Sequence, residues 1–78
     1  MSDTRQRLLS CFQAMFPDLK ESELQRASVY TLANWDSVAT LNLVALVEEE
    51  FGVRLEPEEI EDLSSFELYL ARLKDAHA

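Results

Sequence analysis

Apolar residues recur at helical spacing in three stretches of this chain, and a long irregular stretch parts the first from the second. Leu8, Leu9, Phe12, Met15 and Phe16 fall on one face and predict a helix over residues 4–16. Ser2 or Asp3 can cap its start, and Pro17 ends it. Residues 17–35, "PDLKESELQRASVYTLANW", hold no sustained period. Within them "ESELQRA" can form a short helical turn, and Val29, Leu32 and Trp35 are expected to pin the stretch to the rest. A connection this long in a small domain is uncommon and often functional.

The second helix is predicted from Ser37 to Phe51. Asp36 is a good N-cap, because its carboxylate accepts from the unpaired N–H groups of a first turn. Gly52 supplies the left-handed residue that closes it. "VRL" then runs extended. Pro57 suits the first position of a short third helix, "PEEIEDL", with acid near its positive end. Ser64 and Glu67 read as a capping box for a fourth helix, which carries Phe66, Tyr69, Leu70 and Leu73 at i, i+3, i+4 and i+7. No strand pattern of convincing length occurs. The expected fold is all-α, a small single-domain bundle over residues 1–78 with three main helices and one short one.

The second helix is apolar nearly all round. At about 100° per residue, Leu43, Val44, Val47 and Phe51 share one sector and are expected to face the bundle. Ser37, Leu41 and Ala45 fall on the far side, Glu48 and Glu49 continue that stripe, and Val38 lies beside it. A thin bundle buries one face well. The other begins at a serine, crosses apolar groups and ends in acid, the arrangement of a protein-binding strip with a charged rim. The competing reading is a helix buried on most sides. Ser37 follows the N-cap, where unpaired N–H groups and the helix dipole favour a phosphate on its hydroxyl. On the residues alone, a serine at a helix start is more commonly there for capping.

Composition narrows the classes. The chain has 78 residues, so its core is thin and leaves little room for a deep catalytic cleft. Its net charge is −8, which disfavours nucleic acid and anionic membranes and fits equally protein partners with basic surfaces or an acidic surface that only aids solubility. The one cysteine, Cys11, excludes an internal disulfide, reads as a small core residue and fits a reducing cytosol. No secretory leader, spanning apolar run or lipidation box is evident, so a cytoplasmic monomer without membrane insertion is expected. The single histidine, His77, stands in a polar tail and offers no metal cluster.

"WDSVATLNLVALVEEEFGVRLEPEEIEDL" resembles the acyl carrier protein family across its modification motif and its second and third helices. The motif there is Asp-Ser-Leu, followed by an apolar helix, a Glu-Glu-Phe segment, a short extended stretch and an acidic third helix. It stands here as Asp36-Ser37-Val38, then Glu49-Glu50-Phe51, then "PEEIEDL". The likeness implies an acyl-carrier-like bundle in which Ser37 carries 4′-phosphopantetheine, taken from coenzyme A by a phosphopantetheinyl transferase. Asp36 and Val38 would flank the attachment point. Leu41, Ala45, Glu48 and Glu49 would meet the acyl- or aminoacyl-loading enzyme and the downstream transferases. The protein would carry its cargo as a thioester and would not itself be an enzyme. Val38 replaces the family's usual Leu. Ala39 and Asn42 stand where carriers of the housekeeping fatty acid pathway usually have acids, which points to a specialised polyketide, nonribosomal peptide or surface-polysaccharide route.

Two other readings compete. One is a helical interaction module without a prosthetic group. The other is a small hydrolase or transferase with Ser37 as nucleophile. The second lacks a base near the serine, because His77 lies in the tail and Glu58 and Glu59 read as a solvated helix start.

Overall fold

The computed structural model describes residues 3–76, with side chains from 4 to 75. The expected cap at Ser2 or Asp3 and the tail residue His77 fall outside the described side chains. Five helices follow one another: α1 (Asp3–Met15), α2 (Glu21–Gln25), α3 (Ser37–Phe51), α4 (Pro57–Asp62) and α5 (Phe66–Ala76). Among the described residues there is no strand, and the expected all-α class holds. The expected count of one short helix is corrected to two, because the "ESELQ" turn closes into α2. Lys20 begins it, and the Glu23 carboxylate accepts from the Lys20 N–H at 2.9 Å.

α1 is the central element and packs against α2, α3 and α5. Leu8, Leu9, Cys11 and Phe12 bury its inner face, and Phe16 follows just past its end. The Phe12 ring stands edge-on to Trp35, Phe66 and Tyr69, at centroid distances of 5.5, 5.0 and 5.7 Å. That geometry sets the positive ring edges against negative faces. Trp35 thereby ties the long connection to the core, as expected, and Val29 and Leu32 pack beside it. Leu24 and Ala27 are further anchors of the same stretch. Their spacing in the sequence was too short to stand out as a periodic face.

The start of α5 differs from expectation. Ser65, not Ser64, is the cap: its hydroxyl accepts from the Leu68 N–H at 3.2 Å. The cause is non-local. Ser28 and Ser65 form an isolated antiparallel bridge, with Val29 N–H donating to Ser64 and Phe66 N–H to Ala27. The bridge keeps Ser65 outside the helix, which begins at Phe66, one residue later than expected. Glu67 therefore does not occupy the third helical position and cannot complete a capping box.

The body measures 31 × 29 × 18 Å. Its short dimension is less than two helix diameters of about 10–12 Å each. In so flat a body α3 keeps one face in solvent.

Candidate functional site on α3

α3 is set by its two ends. At the start, Ala39 N–H donates to Asp36 Oδ1 at 2.9 Å, while Thr40 N–H donates to the Asp36 carbonyl at 2.9 Å. At the end, Gly52 adopts φ 65° and its N–H donates to the Glu48 carbonyl. Trp35 Nε1–H donates to Thr40 Oγ1 at 2.9 Å, so the residue before the cap is fastened to the first turn. This side-chain bond holds the connection and the helix start in one register.

Ser37 is the first helical residue and is exposed. Its hydroxyl has no hydrogen-bond partner among the described residues. Asp36 has taken over the capping, so Ser37 is not needed for it. The first-turn N–H groups of Ser37 and Val38 have no intrahelical partner and face the same end. These features fit a phosphate tether: a free hydroxyl in solvent beside a positive helix end. A nucleophilic role would need a base against that hydroxyl, and none lies there among the described residues.

The two faces separate as the spacing predicted. Leu43, Val44, Val47 and Phe51 are buried. Val38 and Leu41 are 65% and 66% exposed, and Ala45 and Glu49 are exposed with them. Leu46, which the sequence reading did not single out, is 36% exposed and widens the strip.

Two assignments are corrected. Glu48 is half-buried, and its Oε2 accepts from the Leu55 N–H at 2.8 Å. It fastens the chain after α3 and is not a free rim residue. Ala39 is 8% exposed and belongs to the core. Its lack of charge therefore reports packing, while Asn42 remains an exposed neutral position. Glu50 also has a partner: Arg7 Nε–H donates to its Oε2 at 2.8 Å, and the Arg7 guanidinium lies 4.5 Å from the centre of the Phe51 ring. Glu59 likewise is more than a solvated acid. It accepts from the Glu56 N–H at 2.8 Å and pairs with Arg72 of α5. That bond to Arg72 holds the Glu59 carboxyl below its ordinary range.

The surface hollow lined by Glu48, Val53, Arg54, Leu55, Glu56 and Pro57 lies at the far end of α3. Eleven residues of helix, about 16 Å, separate Ser37 from Glu48. Cys11 is buried, and burial pushes its thiol up to about 11, so it stays protonated. Among the described residues no cluster of side chains could hold a metal ion. No helix among the described residues is long and apolar enough to cross a membrane. No protein-family model matches the chain, and no curated protein matches it.

Proposed function

We propose that this protein is an acyl or aminoacyl carrier with its prosthetic arm on Ser37. The observation that carries the reading is the division of labour at the start of α3. Asp36 caps the helix, and the next residue presents an unpaired, exposed hydroxyl. In the attachment reaction, Ser37 Oγ bonds to the phosphorus that bears pantetheine in coenzyme A. The diphosphate bond to adenosine 3′,5′-bisphosphate breaks, and the hydroxyl proton passes to a base on the transferase. The bound 4′-phosphopantetheine supplies a terminal thiol that holds the acyl or aminoacyl group as a thioester. The unpaired first-turn N–H groups stabilise the phosphodiester charge, and exposed Val38 offers apolar contact to the arm's first carbons.

The exposed face of α3 then serves successive partners: a phosphopantetheinyl transferase, a loading enzyme and downstream transferases. Asn42, neutral and exposed, supports a specialised pathway, and Ala39 drops out of that argument because it is buried. The same face also fits a helical interaction module without a prosthetic group, since Val38 and Leu41 are exposed whether or not Ser37 is modified. Intact mass separates the two after incubation with coenzyme A and a broad-specificity phosphopantetheinyl transferase. One pantetheine increment supports the carrier. An unchanged mass leaves the interaction module.

A further inference from the structure

The charge on α3 is distributed differently from what the run Glu48-Glu49-Glu50 implies. Glu48 is engaged by the Leu55 N–H, and Glu50 is engaged by Arg7 of α1. Asp36, before the helix, is engaged by the Ala39 N–H. No acid stands in the first turn. Glu49 alone among these is exposed with no ion pair or hydrogen bond from its carboxylate among the described residues. Val38, Leu41, Asn42, Ala45 and Leu46 share its half of the helix, at about 100° per residue.

We infer, resting on the carrier reading, that the enzyme docked on this face presents an apolar surface with one cation set against Glu49. A broadly basic surface would lay hydrated cations on Val38, Leu41 and Leu46. Those charges would lose water and find no opposite charge in return. An apolar surface instead removes exposed Val38 and Leu41 from water. Its single cation fixes the register, because Glu49 lies about 18 Å along the axis from Ser37. This partner differs from the broadly basic one that is one of the two readings of the net charge. The net charge of −8 acts at long range, while the contact face is nearly neutral. It also sets like charge against like when two copies of this chain meet.

The test is attachment of pantetheine from coenzyme A by a broad-specificity phosphopantetheinyl transferase, followed as kcat/KM by intact mass over about 0.02–0.5 M salt. Circular dichroism checks that each variant is folded. Leu41→Asn should lower kcat/KM about tenfold at every salt concentration. Glu49→Lys should lower it about threefold at low salt and rejoin the wild type at high salt. Glu48→Gln and Glu50→Gln should stay within about twofold throughout, because neither carboxylate faces the partner. A normal increment indifferent to Leu41, or equal losses at all three glutamates, would overturn the apolar surface and leave the carrier standing. No increment on the wild type would overturn the carrier reading and this one with it. A wild-type dimer in sedimentation that Leu41→Asn dissolves would also overturn it, by giving the face to a second copy of the chain.

Discussion

Ser37 and Tyr69 are two hydroxyl residues in opposite circumstances, and both departures from the ordinary matter. Ser37 is an exposed hydroxyl relieved of capping by Asp36. Tyr69 is fully buried, and its hydroxyl has no hydrogen-bond partner among the described residues. Burial pushes the Tyr69 phenol up to about 12, from an ordinary 10. The folded value is raised, so the stability from the neutral phenol is fully present below pH 10 and is lost as pH rises through about 12. Tyr69→Phe should remove that alkaline loss. An unpaired buried hydroxyl costs about 1–3 kcal/mol, so the substitution should leave neutral-pH stability unchanged or higher. Urea midpoints at neutral pH and near pH 11 measure both effects. A variant less stable than the wild type at neutral pH would mean that the hydroxyl is bonded.

Among the elements, α3 was the most legible in the sequence, because both of its end signals are local. Asp36 and Gly52 act within a few residues of the bonds they satisfy. Gly52→Ala tests the closing signal. A methyl group there meets nothing within 4 Å, so only the left-handed φ of 65° opposes it. The expected cost is about 1–2 kcal/mol in denaturant unfolding. A loss well above that range would mean that the position is also crowded. α5 was legible in its buried face but not in its first residue, since the bridge from Ser28 to Ser65 joins distant parts of the chain. The fates of Glu48, Glu50 and Ala39 were hidden for the same reason. Helical angle places a side chain on a face, but Leu55, Arg7 and the packed core decide what it touches.

At the scale of the molecule, α4 is the lightly held part. None of its residues is buried, and Leu55 and Leu63 anchor the chain on either side of it. Glu59 links it to α5 through Arg72. Because the Glu59 carboxyl is held below its ordinary 4.5, its stabilisation is present above that value. It is lost as pH falls through the lowered one. Glu59→Gln should therefore flatten the acid limb of stability against pH and leave the limb above pH 5 parallel to the wild type. Amide exchange across residues 57–62 should quicken in the variant while α1 exchange holds. An unchanged acid limb would remove the Arg72 bond as its cause. The core is one continuous cluster around Phe12. The parts that α1, α3 and α5 give it followed from the apolar spacing, because each of those helices repeats its inward face over at least two turns, whereas Leu24 and Ala27 carry no such repeat.

The central claim is that Ser37 alone bears the prosthetic arm, and one paired experiment addresses it most directly. Wild type and Ser37→Ala are incubated with coenzyme A and a broad-specificity phosphopantetheinyl transferase, then compared by intact mass and fragment ions. Because Ser37 is exposed and its hydroxyl makes no bond among the described residues, the variant should keep the wild-type circular dichroism and melting curve. The wild type should gain one pantetheine increment that fragment ions place on Ser37, and the variant should gain none. An unmodified wild type, or an increment that persists in Ser37→Ala, would contradict the account.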